Sequence, residues 1–209
     1  MKIFVDFDNT IFDARHDFAE GLYNIFYLHG VNRGLYQKTY DSFARAIGEN
    51  GELHSPKNHI VKIAGAMEMN INQKVFLQEI SEFLENLEEF VFEDFYAFAN
   101  QYNKKDLIIL SYGEYEFQKQ KIAGSGIEQF FADTIITQED KTVEIEKYMQ
   151  NFPDELVVLI DDKLGYFENA KQSEINIKTV HIVRGDSKCK NSKNCNMHIS
   201  NLREIGGII

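Results

Sequence analysis

Two carboxylates lie two residues apart near the start of the chain, in the stretch Asp6-Phe7-Asp8-Asn9-Thr10. The stretch follows Ile3-Phe4-Val5, a short run of branched and aromatic residues that predicts a buried strand. Carboxylates at the end of a buried strand are unfavourable unless something pairs with them. Oxygen ligands on a compact scaffold suit magnesium, so Asp6 and Asp8 are candidate ligands of a divalent cation.

Polar residues with useful chemistry follow two further apolar runs. Ser111 follows residues 107–110, and the pair Asp161-Asp162 follows residues 156–160, the most apolar run of the chain. Lys141 stands just before a segment with helical periodicity and can face the same edge. The carboxyl ends of strands in an open parallel sheet are where ligands bind. The pattern therefore predicts one site for a phosphoryl group and magnesium.

The elements that must position these residues are of two kinds. From about Asp17 to Glu89 the apolar residues recur at helical spacing, and no segment predicts a strand. The rest of the chain alternates short apolar strands with helices of about ten residues, which predicts a parallel sheet covered on both faces. The four helices of the first block are predicted over residues 18–29, 36–47, 59–67 and 75–91, and the strands over 3–5, 107–110, 134–136, 156–160 and 178–183, followed by a polar tail. The fold class is thus an α/β core, residues 1–13 and 92–209, with an inserted helical cap, residues 14–91.

Composition narrows the range of partners. The formal net charge of −11 argues against a general nucleic-acid binder, whose binding surface would be basic. No apolar run approaches the roughly 18 residues of a membrane span, and the N-terminus enters a strand directly, so no signal peptide is expected and a cytoplasmic, soluble protein is predicted. Cys189 and Cys195 are read as two thiols in a polar loop, with half of a metal site as the alternative. The sequence does not indicate the oligomeric state.

The motifs resemble those of a known family. The DxDxT signature of the haloacid dehalogenase-like hydrolases matches Asp6 to Thr10, and the resemblance spans essentially the whole chain. Leu110-Ser111-Tyr112-Gly113 is similar to the second motif, Lys141 to the third and Leu159-Ile160-Asp161-Asp162 to the fourth. Residues 126–137 are similar to the family's connection before the lysine. Helices placed between the first two motifs are typical of members with a helical (type C1) cap.

The resemblance implies a fold and a reaction. The fold is a three-layer, Rossmann-like core with an inserted all-helical cap. The reaction is magnesium-dependent hydrolysis of a small phosphorylated metabolite through an aspartyl-phosphate intermediate. Asp6 would be the nucleophile and Asp8 the acid and base. Ser111 would donate a hydrogen bond to a phosphoryl oxygen, and Lys141 would neutralise its charge.

Further residues are implied as metal or substrate contacts. Magnesium would lie between Asp6, the backbone carbonyl of Asp8 and the fourth motif, with either Asp161 or Asp162 as the direct ligand. The residues expected near the phosphate or the rest of the substrate are Thr10, Tyr112, Gly113, Arg15 and His16, although for Arg15 and His16 a solvated helix start is the alternative.

Several alternatives stay open at this point. The second motif usually carries Asn where this chain has Tyr112, and Lys119, Lys121 and Lys147 compete with Lys141 for the third. The dehalogenase branch needs no acid at the position of Asp8, so a phosphate ester is favoured over a halide. A phosphomutase of the same fold and a non-catalytic phosphate-binding or regulatory module are the other functions considered.

Overall fold

The computed structural model describes residues 1–46, 52–67, 72–173, 175–185 and 195–207. Within these ranges one parallel sheet contains the strands β1 Lys2–Val5, β2 Leu107–Tyr112, β3 Asp133–Thr137, β4 Val157–Asp161, β5 Ile177–Ile182 and β6 Met197–Ile199. The order across the sheet is β3-β2-β1-β4-β5-β6. From β1 the chain first builds one half of the sheet and later the other, so the switch point lies between β1 and β4.

Helices form the cap and cover both faces of the sheet. The cap helices are α1 Asp17–Leu28, α2 Arg33–Ala46, α3 Pro56–Met67 and α4 Gln73–Leu84, and the core helices are α5 Asp94–Ala99, α6 Tyr115–Gly124, α7 Lys141–Met149 and α8 Gly165–Gln172. All four cap helices lie between β1 and β2 in the chain. The predicted α/β class with an inserted helical segment is confirmed.

The strands are apolar on both faces, and the two faces bury different helices. Ile3 and Val5 pack into the cluster that contains residues of α5, α6 and the cap, while Phe4 packs with Ile145 of α7 and Phe167 of α8. All five side chains are excluded from solvent. Alternation along a strand sends successive residues to opposite faces, which explains the uninterrupted apolar runs in the sequence.

Two linkers that pair with each other connect the cap to the sheet. The backbone N–H of Asp13 donates to the carbonyl oxygen of Phe90 at 2.8 Å, and that of Phe92 donates to Ile11 at 2.8 Å. An isolated antiparallel bridge joins Phe12 to Val91 between them. The helical insertion therefore leaves and re-enters the core at one place, directly after the first motif.

Two of the predicted elements differ from the structure. The fourth cap helix ends at Leu84 rather than at Val91, because the chain turns through a 3₁₀ helix at Glu88–Phe90 before the linker. Leu87 and Val91 are buried, so the apolar spacing continues after the helix has ended. The segment predicted as a polar tail contains β6, a strand too short and too polar for its pattern to be recognised.

Other predictions fall at the edges of what is described. The second cap helix begins at Arg33, three residues before the predicted start, and its predicted end at Ile47 lies outside the described residues. Cys189 also lies outside them, so the predicted cysteine loop is not described. Among the described residues, no helix is long and apolar enough to cross a membrane.

Candidate active site

Asp6 stands immediately after β1, and a buried lysine holds it in place. The Nζ atom of Lys141 lies 2.5 Å from Oδ1 of Asp6 and 2.6 Å from Oδ2 of Asp161, the last residue of β4. Lys141 is the first residue of α7, whose N-cap residue Asp140 accepts from the backbone N–H of Thr142 at 2.8 Å. This cap fixes the start of the helix, and with it the position of the ammonium group.

The rival lysines of the third motif lie elsewhere. Lys147 is 55% exposed and pairs with Glu139 and Glu144. Lys119 lies on the exposed face of α6. Lys141 is 1% exposed and is thus the lysine that lies between the first and the fourth motif. Lys121 is buried as well, but it contacts Asp8.

Burial and charge alter the acidity of this group of residues. Burial raises the pKa of Asp6 to about 6, although the ammonium of Lys141 opposes the rise. Burial also raises the pKa of Asp161 against the same ammonium. For Lys141 itself burial acts to lower the pKa, but the charges of Asp161 and Asp6 outweigh it and raise the value. The single positive charge of Lys141 is therefore shared by the two carboxylates of Asp6 and Asp161.

The two acids of the fourth motif, Asp161 and Asp162, have different hydrogen-bond partners. Both oxygens of Asp161 have partners, since Oδ2 accepts from Lys141 and Oδ1 accepts from the backbone N–H of Lys163 at 2.7 Å. In Asp162, Oδ2 accepts from Nη2 of Arg15 at 2.7 Å, while the buried Oδ1 has no hydrogen-bond partner among the described residues. Burial and the charge of Asp6 raise the pKa of Asp162 to about 6.

These acids fit a divalent cation. Asp6, Asp161 and Asp162 each place one oxygen within 4.8 Å of the others. The unpartnered Oδ1 of Asp162 is buried beside two carboxylates that share a single ammonium, an arrangement that a second cation would compensate. Oxygen ligands of this kind suit magnesium, and the partner pattern favours Asp162 over Asp161 as the direct ligand.

A turn with one left-handed residue follows the two acids of the first motif. Asn9 has φ = 61°, and its backbone N–H donates to Phe12 at 2.6 Å. The hydroxyl of Thr10 lies 3.2 Å from Oδ2 of Asp6. Arg184, which follows β5, donates to the carbonyl oxygen of Thr10 at 2.6 Å and to Asp94 at 2.7 Å. Sequence analysis did not identify Arg184 or Asp94, because no local pattern links them to the first motif.

The second motif contributes a buried hydroxyl. Ser111 lies in β2, adjacent to β1, and is fully buried. Its Oγ has no hydrogen-bond partner within the described part of the chain. A buried hydroxyl without a partner is unfavourable, so this atom is suited to contact a ligand oxygen.

Asp8 points to a different group of residues. Its Oδ1 and Oδ2 lie 2.6 and 2.8 Å from Nζ of Lys121, and Nε2 of Gln118 donates to Oδ2 at 2.8 Å. Burial acts to raise the pKa of Asp8, but the charge and hydrogen bonds of Lys121 and Gln118 outweigh it and hold the pKa below its ordinary value. Sequence analysis missed Gln118; its spacing from Lys121, one helical turn, is the signal that was available.

Gly113 makes room for this contact. A Cβ atom at Gly113 would lie 2.7 Å from the side chain of Gln118, closer than carbon atoms pack. Gln118 also donates to the carbonyl oxygen of Tyr112 at 3.0 Å and is 4% exposed. The second motif thus supplies the hydroxyl of Ser111 and, through Gly113, the space that Gln118 needs to reach Asp8.

Comparisons with known proteins identify the fold. No known sequence family matches the chain, and no curated protein sequence does so. A structure described as a haloacid dehalogenase-like hydrolase from Burkholderia xenovorans LB400 has a TM-score of 0.75 at 18% identity, over 99% of this chain and 94% of that one. The magnesium-bound HAD-hydrolase YfnB from Bacillus subtilis has a TM-score of 0.69 at 16% identity, over 99% and 97% of the two chains. The chain has the haloacid dehalogenase-like fold.

Proteins with different activities share this haloacid dehalogenase-like fold. An L-2-haloacid dehalogenase from Xanthobacter autotrophicus, with chloropropionic acid covalently bound, has a TM-score of 0.65 at 12% identity, over 99% of this chain and 97% of that one. A structure described as a β-phosphoglucomutase from Thermotoga maritima has a TM-score of 0.58 at 13% identity, over 100% and 98%. Because one fold supports several reactions, the activity has to be argued from the site.

A cavity of about 630 Å³ lies between the core of this haloacid dehalogenase-like fold and its cap. Asp8, Tyr112 and Gly113 line it from the core, together with Arg15 and His16 at the start of the cap. Arg15 pairs with Asp162, and His16 is 73% exposed and contacts Asp13 at 2.8 Å. Both predicted anion-binding residues therefore line the cavity while pairing with carboxylates.

The cap closes this cavity with aromatic side chains and a neutral histidine. Tyr36 and Tyr40 of α2 line it together with His54, which precedes α3. Burial lowers the pKa of His54 to about 3, and the neighbouring His59 adds to the effect. A larger cavity of about 890 Å³, beside Met149, contains none of the motif residues.

Proposed function

We propose that the protein is a magnesium-dependent phosphatase of the haloacid dehalogenase-like type, which hydrolyses a small phosphorylated metabolite through an aspartyl-phosphate on Asp6. The observation that carries the proposal is the group of residues around Asp6. Lys141 braces its carboxylate, and among the described residues neither the buried Oγ of Ser111 nor the buried Oδ1 of Asp162 has a hydrogen-bond partner. Such a site offers a nucleophile, a phosphoryl-oxygen donor and a cation position.

In the first half of the proposed reaction a carboxylate oxygen of Asp6 attacks phosphorus, and the bond from phosphorus to the ester oxygen breaks. Lys141 holds Asp6 in place and reduces the charge repulsion between its carboxylate and the phosphate. Ser111 donates its hydroxyl proton in a hydrogen bond to a phosphoryl oxygen. These contributions are positioning and electrostatic, as phosphoryl transfer generally requires.

Asp8 is the residue that transfers protons in both halves of the proposed reaction. It gives a proton to the departing ester oxygen, because the negative charge of a bound phosphate would raise the pKa that Lys121 otherwise holds low. In the second half it takes a proton from the water that attacks the aspartyl-phosphate. The proton taken from water restores the acid for the next turnover, so the cycle balances. Asp8 lines the cavity under the cap, where the departing group of the substrate would lie.

Asp6, the backbone carbonyl of Asp8 and Asp162 would hold magnesium, while Asp161 anchors Lys141. Bound there, magnesium would offset the negative charge of Asp6 and of the phosphoryl oxygens. The support for this assignment is the unpartnered Oδ1 of Asp162 and the approach of three carboxylates to one another. The structurally similar YfnB is described as bound to magnesium.

Asp8 also favours a phosphate ester over a halide as the substrate. A halide departs as a stable anion, whereas an ester oxygen benefits from a proton as it departs. The site supplies a carboxylate at the place where that proton would be needed. The carboxylate of Asp8 therefore favours the proposed phosphatase reaction over that of the dehalogenases with the same fold.

The test is hydrolysis of p-nitrophenyl phosphate by wild type and by Asp6→Asn, with and without magnesium. We expect magnesium-dependent phosphate release by wild type only. Equal, metal-independent turnover by both proteins would contradict the proposal. Chloride release from chloropropionate by wild type would indicate a dehalogenase, and transfer of phosphate to a sugar phosphate without net release would indicate a mutase.

A further inference from the structure

Lys121 is a buried lysine for which the proposed reaction has so far no role. Its side chain is 4% exposed, and its Nζ lies 2.6 and 2.8 Å from the two oxygens of Asp8. No other carboxylate within the described ranges pairs with it. Gln118, one turn earlier on α6, donates to Oδ2 of the same carboxylate at 2.8 Å. Three donated contacts therefore fix one carboxylate, which leaves it little freedom to rotate.

The surroundings of Lys121 restrict the ammonium in turn. Four aromatic rings lie within cation–π distance of Nζ, with centroids between 4.9 and 5.8 Å away: Phe7, Phe12, Phe18 and Phe117. Phe18 belongs to cap helix α1, whereas Phe117 belongs to core helix α6. The ammonium thus lies at the boundary between cap and core, where Lys121 also lines the cavity, and the rings pack around the rest of it.

The ion pair between Lys121 and Asp8 is not expected to add much to the stability of the fold. Desolvating an ammonium and a carboxylate costs about as much as their attraction returns, so apolar side chains of similar volume would serve a packed interior at least as well. Asp8 is also still 22% exposed towards the cavity, where a substrate would meet it. A fixed carboxylate at the wall of a cavity is what proton transfer to a bound substrate requires.

We propose that Lys121 is a positioning residue for Asp8, which holds the carboxylate where it can exchange a proton with the departing ester oxygen. The inference rests on the proposed phosphatase reaction and adds to it a residue outside the four motifs. Lys121 acts through Asp8 and contacts no reacting atom. Its loss should therefore matter in proportion to how much the departing oxygen needs a proton.

The test compares two aryl phosphates of similar shape, p-nitrophenyl phosphate and phenyl phosphate, in the presence of magnesium. Nitrophenolate departs readily without a proton, whereas phenolate does so poorly. We expect Lys121→Met to lower kcat/KM for phenyl phosphate at least about tenfold more than kcat/KM for p-nitrophenyl phosphate. The ratio kcat/KM reports the step in which the ester oxygen departs, and positioned proton transfer contributes about 10²–10⁴ in rate. Lys121→Arg should recover part of the loss.

Two controls separate positioning from a structural role. Lys119→Met changes an exposed lysine of the same helix and should leave the ratio of the two kcat/KM values unchanged. In Asp8→Asn the further change Lys121→Met should have almost no effect, because residues that act through one another are not additive.

The inference is overturned if Lys121→Met lowers both kcat/KM values equally or leaves both unchanged. If Lys121→Met does not fold, the same comparison is made with Lys121→Arg. Equal losses of kcat/KM on the two substrates would then also overturn the inference. An inactive wild type, by contrast, would contradict the proposed function itself. An active wild type with an unchanged ratio in the variants contradicts only the role of Lys121.

Discussion

At the scale of single residues, the site is a set of buried charges that do not cancel. Asp6, Asp161 and Asp162 approach one another, and Lys141 pairs with the first two. Arg15 reaches only Oδ2 of Asp162 and is half exposed. Burial is the main reason why the pKa values of Asp6 and Asp162 rise to about 6, and the neighbouring negative charges add to it.

The two acids of the fourth motif should respond differently to substitution. Asp162→Asn removes the carboxylate with the free oxygen and should raise the magnesium concentration for half-maximal activity at least about tenfold. Asp161→Asn instead weakens the anchor of Lys141 and should lower kcat with a smaller change in the magnesium requirement. Titration of phosphatase activity with magnesium measures both. A larger shift in Asp161→Asn would mean that Asp161 is the direct ligand.

Because the pKa of Asp162 is raised, the free energy of unfolding should depend on pH when a chelator removes the metal. The folded protein holds this proton more tightly than the unfolded chain, so the stabilisation is complete below the ordinary value of 3.8 and is lost as pH rises through about 6. Without metal, Asp162→Asn should therefore be about 2 kcal/mol more stable than wild type near neutral pH, and the difference should shrink towards about pH 4.

Urea unfolding of both proteins in chelator, at several pH values between these limits, measures this difference. Asp13→Asn provides the matched control, because the pKa of Asp13 is lowered rather than raised by its contacts, in spite of partial burial. That variant should lose stability near neutral pH. An Asp162→Asn protein no more stable than wild type at neutral pH would contradict the charge account.

At the scale of elements, the cap and the core approach each other closely where two helices end. Leu84 is the last residue of α4 in the cap, and Gly124 is the last residue of α6 in the core. A Cβ atom at Gly124 would lie 1.8 Å from the carbonyl oxygen of Leu84. The backbone N–H of Leu87 donates to the carbonyl oxygen of Gly124 at 2.9 Å, so the two helix ends are held together.

Gly124→Ala should therefore destabilise the protein by about 2–3 kcal/mol, because one of two backbones has to move. Gly65→Ala is the matched control. Gly65 lies on the exposed face of α3, nothing lies within 4 Å of its added Cβ, and alanine there should stabilise the helix by about 0.5–1 kcal/mol. Thermal unfolding of the three proteins measures both effects. Equal melting temperatures for Gly124→Ala and wild type would contradict the described packing.

Periodicity predicts elements well until the chain changes direction. The alternation of apolar strands and helices located five of the strands described here, because both faces of the sheet are buried. The same reasoning extended the fourth cap helix to Val91, since Leu87 and Val91 are buried although the helix has ended. A three-residue edge strand such as β6 has too few residues for any period to appear.

At the scale of the whole molecule, the site exists only when distant parts of the chain meet. Asp6, Ser111 and Asp161 come from three adjacent strands, and Lys141 comes from α7. The topology explains why residue types and strand ends predicted this group, since parallel strands bring their carboxyl ends to one edge. It also explains what was missed. Lys121 was considered only as a rival of Lys141, and its contact with Asp8, like that of Arg184 with Thr10, is one that no local pattern records.

Because the proposed metal ligands come from separate strands, magnesium should stabilise the whole fold. At about a hundred times its dissociation constant, a cation that binds only the folded state adds about 2.7 kcal/mol. The melting temperature of wild type should therefore rise with magnesium, and that of Asp162→Asn should rise much less. A rise of the same size in both proteins would show that the cation binds elsewhere.

The central claim is that phosphate passes through Asp6, and covalent labelling tests it most directly. Asp8→Asn should slow the second half of the reaction, because no base is left to activate water. Acid quenching of that variant during turnover of p-nitrophenyl phosphate with magnesium, followed by mass spectrometry of the N-terminal peptide, should find phosphate attached to Asp6. Steady release of nitrophenol with an unmodified Asp6 throughout would contradict the account.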